Sequence, residues 1–101
     1  MSVKTRPWDA AAHLDTPEAI AAYLEAAFAD GDPQLIAAAL GDVARSRGMT
    51  QIARVTGRTR ESLYRALSAE GNPEFATVLR VLQALGLKLE IRPASEESEP
   101  A

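Results

Sequence analysis

The chain contains no cysteine and only one histidine among its 101 residues. Without cysteine it can form neither a disulfide framework nor a thiolate metal site, and this absence is typical of the reducing cytoplasm. It also has no apolar run long enough to cross a bilayer, and no charged and then apolar leader follows Met1. We therefore expect a cytoplasmic protein that does not associate with a membrane.

Side chains that carry chemistry are equally scarce. His13 has Asp9 and Asp15 nearby in the sequence, but no cysteine or activated serine completes a nucleophilic set. One histidine with scattered acids does not form a recognisable zinc site, and no glycine-rich loop of the phosphate-binding type is present. These absences argue against an enzyme, a metal site or a cofactor, and they favour a binding protein.

The net charge of −3 is distributed unevenly along the chain. From Arg45 to Arg65 there are six arginines and one acid, Glu61, a net charge of +5, whereas the remaining residues carry five basic and thirteen acidic side chains, a net charge of −8. A basic segment on an acidic chain is the electrostatic pattern of a local phosphate-binding surface. A solvated arginine face without a ligand is the alternative. The length predicts one small domain.

The basic segment includes a pattern typical of two short helices around a tight turn, TQIARVTGRTRESLYRAL at residues 50–67. Thr50 can cap the first helix, and Gly57 can end it because glycine adopts a left-handed backbone at little cost. Thr59 can cap the second helix. The buried stripe of that helix is predicted to be Leu63, Ala66 and Leu67. The side chains predicted to face outward are those of Arg58, Arg60 and Arg65.

This pattern predicts a helix-turn-helix whose second helix lies in the DNA major groove. Arg60, Glu61 and Arg65 are the predicted base readers, since arginine can bind guanine O6 and N7 as a fork and glutamate can accept from cytosine N4. Glu61 could instead only position Arg65, four residues further on. The predicted phosphate contacts are Arg54, Arg58, Thr59, Ser62 and Tyr64.

Two helix starts precede this segment, each marked by proline after a capping residue. Residues 15–18, DTPE, predict a helix to about Asp30, and Asp32-Pro33 predicts a second one to about Arg47. Gly41 lies inside the second helix, where glycine costs about 1 kcal/mol relative to alanine. Close packing against another helix would explain this glycine.

A fifth helix is predicted after the helix-turn-helix. Asn72 can cap it, Pro73 can open it, and it should end at about Leu85, before Gly86. Its predicted core stripe is Phe75, Val78, Leu79, Leu82 and Leu85, with Thr77 and Arg80 outside the stripe.

Residues 87–92 then change from the helical period to strict alternation. Leu87, Leu89 and Ile91 alternate with the charged residues Lys88, Glu90 and Arg92, which is the pattern of a half-buried strand. A lone strand leaves its backbone groups unpaired. We therefore predict that it pairs with the same strand of a second copy in a two-fold dimer, with Leu87, Leu89 and Ile91 as the dimer contacts. Addition of the strand to a different protein is the alternative.

The two ends show no helical periodicity. Residues 1–14 are interpreted as an extended arm whose Trp8 either folds back on the domain or packs against a partner. Residues 94–101, ASEESEPA, are acidic and without large hydrophobic side chains, so we expect disorder. The predicted fold is all-α: a five-helix domain at residues 15–93 that includes one C-terminal strand.

Residues 48–93, GMTQIARVTGRTRESLYRALSAEGNPEFATVLRVLQALGLKLEIRP, resemble the HigA-like, XRE-type helix-turn-helix proteins called probable addiction-module antidotes. The blocks RESLYRAL, GNPEFATVL and ALGLKL carry most of the similarity, which extends over roughly residues 5–93. The resemblance implies a lambda-repressor-like domain. One departure is Thr56, where this motif often has an aliphatic residue.

The resemblance further implies a bacterial type II antitoxin. Such a protein would neutralise a small basic toxin of the RelE/ParE kind by direct binding, and would repress its own operon as a dimer on operator DNA. The acidic N-terminal half suits a basic partner, and the predicted toxin contacts are Trp8, Asp9, Glu18 and Glu25. A stand-alone phage-type repressor without a toxin and a purely protein-binding module are the alternatives.

Overall fold

The computed structural model describes residues 14–94. In this range the chain forms five helices and no strand: α1, Pro17–Asp30; α2, Pro33–Arg47; α3, Met49–Thr56; α4, Arg60–Ala66; and α5, Phe75–Ala84. The predicted all-α class is confirmed for this part of the chain. The arm with Trp8, Asp9 and His13, and the tail from residue 95 onward, lie outside the described residues. None of the five helices is long and apolar enough to cross a membrane.

Three helix starts have the side-chain caps that the sequence predicts. The Thr16 hydroxyl accepts from the Ala19 N–H at the start of α1, at 3.1 Å. A carboxylate oxygen of Asp32 accepts from the Gln34 N–H at the start of α2, at 3.0 Å. The Thr59 hydroxyl accepts from the Ser62 N–H at the start of α4, at 3.0 Å. Each bond satisfies one of the N–H groups that a helix start leaves without an intrahelical partner.

The start of α3 differs from the prediction. The helix begins at Met49, Gly48 occupies the cap position, and no side-chain cap bond forms there. Thr50 lies inside the helix, so the prediction that it caps α3 is wrong. The physical reason is that Met49 is itself buried, and its packing draws it into the first turn. The other end agrees with the prediction: Gly57 has φ +75° and the Arg58 N–H donates to the Ala53 carbonyl at 3.0 Å.

The core lies where α1, α2, α3, α4 and α5 meet. α1 packs on α2, α2 packs on α3 and α4, and α3 packs on α5. Its largest fully buried side chains are Ile20, Leu40, Val43, Leu63, Leu67 and Val81. Since α4 buries Leu63 and Leu67, its opposite side must face solvent.

Gly41 lies where α2 crosses the end of α4. A Cβ added there would overlap the carbonyl oxygen of Leu67 and lie 3.2 Å from its carbonyl carbon. The prediction of close packing at this glycine is therefore confirmed, and the helix in contact is α4.

The last helix starts later and is rotated relative to the predicted stripe. α5 begins at Phe75 rather than Pro73, with Glu74 at its cap position and no side-chain cap bond. Thr77 and Val81 are buried, whereas Phe75 is 67% exposed. The predicted inward position of Phe75 and outward position of Thr77 are therefore wrong. The helix takes this rotation because Val81 packs in the core and the Thr77 hydroxyl receives a hydrogen bond from the turn before α4.

The Thr56 hydroxyl is buried without being left unpaired. Its Oγ1 donates to the Ala53 carbonyl at 3.1 Å, within α3. A buried hydroxyl with a partner costs little. Threonine therefore fits the position where related motifs often have an aliphatic side chain.

Residues 87–93 form neither helix nor strand in the single chain. Leu87 packs against the core, Leu89 is 41% exposed and Ile91 is 92% exposed. The predicted strand requires a second copy for its backbone pairing, so it stays a prediction.

Candidate nucleic-acid interface

The two short helices α3 and α4 are joined by a turn of residues 57–59. With Leu63 and Leu67 held in the core, four exposed positions of α4 point the other way: Arg60, Glu61, Tyr64 and Arg65. Their spacing of one, three and four residues keeps them on one side of the helix. The predicted base readers therefore share a single exposed strip.

Three arginines of this surface have no acidic partner within residues 14–94. Arg54 at the end of α3, and Arg60 and Arg65 on α4, are exposed and form no ion pair there. Exposed guanidinium groups without an internal partner are available to phosphates or base edges. The structure thus brings these three residues, with Thr59 and Tyr64, to the same two-helix unit.

Arg58 is placed differently. Its Nε donates to the Thr77 hydroxyl at 3.1 Å, its Nη1 donates to the Ser62 hydroxyl at 2.7 Å, and its Nη2 lies 3.8 Å from a carboxylate oxygen of Glu74. The side chain is 33% exposed, so the prediction that it faces freely outward is wrong. The reason is Thr77, whose burial in α5 brings a hydroxyl acceptor to the turn. Arg58 connects the turn, α4 and the start of α5.

We predict that Arg58→Ala lowers the free energy of unfolding by about 1–3 kcal/mol, because it leaves the buried Thr77 hydroxyl without its donor. Arg54→Ala is the matched control, since Arg54 is exposed and unpaired in the described range, and it should change stability by less than about 0.5 kcal/mol. Urea denaturation followed by circular dichroism measures both. Equal stability of the two variants would contradict the assigned role of Arg58.

A buried carboxylate lies behind this surface, between α1 and α2. Asp42 is 4% exposed, accepts from the Tyr23 hydroxyl at 2.7 Å and pairs with Arg45 Nη2 at 2.5 Å. This cluster was not predicted from the sequence, where Arg45 belongs to the basic segment. The available signal was an acid within the otherwise apolar stretch AAALGDVA, because a buried carboxylate needs partners. Because Arg45 forms this ion pair with Asp42, its charge is already balanced within the domain.

Burial, and then the hydrogen bond to Asp42, raise the pKa of the Tyr23 phenol above its ordinary value. The folded state therefore holds the neutral phenol more strongly than the unfolded chain does. This contribution to stability is fully present below pH about 10, the ordinary tyrosine pKa, and is lost as the pH rises towards the folded-state pKa. We predict that raising the pH from about 9 to about 11 lowers the free energy of unfolding of the wild-type protein more than it lowers that of the Tyr23→Phe variant. Urea denaturation at both pH values measures this difference, and equal losses would contradict it.

The second predicted surface, for a toxin, is only partly described. Glu18 and Glu25 are exposed and lie seven residues apart on α1, nearly two turns, so they share one side of the helix. α1 contains three acidic residues and no basic one. Trp8 and Asp9 lie outside the described residues.

A groove runs between α1 and the segment that follows α5. It encloses about 240 Å³. Its apolar lining comes from Ala21, Leu24, Phe28, Leu82, Leu87 and Leu89, and its charged lining from Glu25, Lys88, Glu90 and Arg92.

A protein-family model described as "Probable addiction module antidote protein" matches residues 4–93. The chain belongs to this family. A relative in Haemophilus influenzae, described as an uncharacterized protein, is 46% identical to this antidote over 92 residues, which cover 91% of this chain and 95% of the relative. No solved structure shows a significant match. Membership of the family supports a role in a toxin–antitoxin module with a toxin as partner, and a regulatory rather than an enzymatic protein.

Proposed function

We propose that this antidote represses the promoter of its own two-gene module through a helix-turn-helix formed by α3 and α4, and neutralises the module's RelE/ParE-like toxin by direct binding. The observation that carries the DNA-binding part is the exposed strip of α4, which presents Arg60, Glu61 and Arg65 opposite the buried Leu63 and Leu67. A helix held by one side in the core and arginine-rich on the other fits the major groove.

The contacts divide into two groups by chemistry. Arg60 and Arg65 would read guanines, and Glu61 would accept from cytosine or position Arg65. Arg54, Thr59 and Tyr64 would hold phosphates. Arg58 already donates to the hydroxyls of Ser62 and Thr77, so we assign Arg58 and Ser62 to holding the turn in place rather than to DNA.

The proposed active form is a dimer. Helix-turn-helix dimers bind half-sites about 34–36 Å apart, which is one turn of DNA. The two-fold symmetry of the protein then matches the symmetry of the operator. The segment containing Leu87, Leu89 and Ile91 is the proposed dimer contact, since Leu89 and Ile91 are exposed apolar side chains that a second copy would cover.

The toxin is proposed to bind a different surface, on the acidic side of α1. Glu18 and Glu25 would attract a basic protein, while α3, α4 and the turn between them carry four arginines against one acid. Because the α1 surface is acidic and the α3–α4 surface is basic, one chain can bind a basic protein on the first and DNA on the second. The arm residues Trp8 and Asp9 would extend the toxin contact.

The test is co-expression with the small basic product of the adjacent gene, followed by affinity purification and a gel shift with the upstream promoter. Deleting α1 is unsuitable, because it supplies the buried Ile20 and Leu24 and its loss would unfold the domain. Glu18→Lys combined with Glu25→Lys should instead weaken toxin binding by roughly tenfold or more and leave the gel shift unchanged. Glu70→Lys, an exposed acid away from α1, is the matched control.

Three results would contradict parts of this proposal. Unchanged toxin binding by the doubly reversed variant would remove α1 from the toxin site. A gel shift without any co-purifying partner would favour a stand-alone repressor. A co-purifying partner without any gel shift would favour a protein-binding module.

A further inference from the structure

The segment 87–92 follows α5 and forms neither helix nor strand. The Leu87 N–H donates to the Leu82 carbonyl at 2.9 Å, which closes the end of α5. Beyond it, no backbone group of residues 88–92 forms a hydrogen bond with another described residue. Arg92 Nη2 lies 3.8 Å from Glu90 Oε1, as expected where residues two apart share one side of an extended chain.

The same segment exposes apolar side chains to solvent in the single chain. Ile91 is 92% exposed and Leu89 is 41% exposed, next to the apolar groove between α1 and Leu82. An exposed, extended edge with unpaired backbone groups is a template for another strand. Two identical strands related by a two-fold axis pair in the antiparallel direction, so that one residue lies opposite its own copy. We call this residue the centre of the pair.

The charges of the segment distinguish the possible centres. A pair centred on Lys88 sets lysine opposite lysine, and one centred on Glu90 sets glutamate opposite glutamate and Lys88 opposite Arg92. A centre at Ile91 sets Glu90 opposite Arg92, but it also sets Leu89 opposite Pro93, which has no N–H to donate, and leaves Lys88 opposite the uncharged Ala94. Only a centre at Leu89 sets Lys88 opposite Glu90, twice, and Leu87 opposite Ile91, twice.

We propose that residues 87–91 form a self-complementary strand that pairs with a second copy of this chain in the antiparallel register centred on Leu89. Leu89 meets its own copy, and Ile91 of each chain covers Leu87 of the other beside the groove lined by Leu24 and Phe28. The inference rests on the proposed dimer and specifies its register.

The test exchanges the two central charges. In Lys88→Glu both cross-strand pairs become glutamate–glutamate, and in Glu90→Lys both become lysine–lysine, so each variant should raise the Kd of its homodimer at least about tenfold. A mixture of the two variants restores two opposite-charge pairs and should form a heterodimer about as tightly as the wild type. Sedimentation equilibrium of each variant, the mixture and the wild-type protein measures these constants. Both side chains are exposed, so folding should be retained, which circular dichroism verifies.

The registers centred on Glu90 and on Ile91 give different results. Lys88→Glu should tighten a dimer centred on Glu90, where it would face Arg92, and should leave a dimer centred on Ile91 unchanged. Either outcome overturns the proposed register. A wild-type dimer that neither variant changes would show that the interface lies elsewhere. A wild-type protein that stays monomeric would overturn the pairing. DNA binding through α4 is measured separately, so that result would leave the proposed DNA-binding function to be decided by its own experiment.

Discussion

Gly41→Ala is expected to destabilise the domain by about 1–3 kcal/mol, even though the same substitution in an unobstructed helix would stabilise it by about 1 kcal/mol. The obstacle is the carbonyl group of Leu67, which the new Cβ would overlap. A backbone carbonyl cannot rotate away as a flexible side chain can. The helices α2 and α4 would therefore have to move apart, and Leu63 and Leu67 would pack less tightly in the core that they share with Leu40 and Val43.

Urea denaturation gives the sign of this effect. The control is Ala22→Gly at an exposed position of α1, which measures the helix propensity difference without a packing change and should cost about 1 kcal/mol. If Gly41→Ala raises the stability instead, the close crossing of α2 and α4 is not present in the folded protein.

Replacing Arg60 and Arg65 together by alanine is expected to reduce affinity for promoter DNA by about 100-fold or more, because each lost base contact costs about 1–3 kcal/mol. Both side chains are exposed, and neither forms an ion pair within residues 14–94. Their removal should therefore leave folding stability nearly unchanged. Fluorescence anisotropy with a labelled promoter duplex measures the affinity, and thermal denaturation verifies the fold.

Arg80→Ala provides the matched control for this pair. Arg80 is an exposed arginine on α5, outside the basic segment, and its loss should change affinity little. The variants also separate two kinds of contact. Loss of a phosphate contact such as Arg54 should weaken all sequences alike and reduce the slope of log affinity against log salt by about 1, whereas loss of Arg60 or Arg65 should relax sequence preference. Equal losses for Arg80→Ala and the double variant would mean that only net charge matters.

Much of the fold was accessible from the sequence because its signals are local. Thr16 and Asp32 each precede a proline, and a capping hydroxyl or carboxylate acts on N–H groups two or three residues away. Gly57 ends α3 through its own left-handed backbone. Such signals need no information from the rest of the chain, and the structure confirms these three.

The errors arise where tertiary contacts decide. The rotation of α5 depends on which side meets α3, so Thr77 is buried and Phe75 is not, although their hydrophobicity suggests the reverse. Burial of Thr77 in turn gives Arg58 an internal partner nineteen residues away. Within the candidate site, Arg54, Arg60 and Arg65 were predicted to be exposed from helical spacing alone, because that depends only on Leu63 and Leu67 facing inward.

The central claim is that α4 is the DNA-reading surface of an antidote whose acidic α1 is kept for another partner. Titration of ¹⁵N-labelled protein with the promoter duplex, followed through backbone amide shifts, tests it most directly. We expect the largest changes at residues 54–65, weaker ones where a second copy binds, and none along Glu18–Glu25. Changes concentrated on α1, or a spectrum that the duplex leaves unaltered at concentrations well above a specific Kd, would contradict the claim.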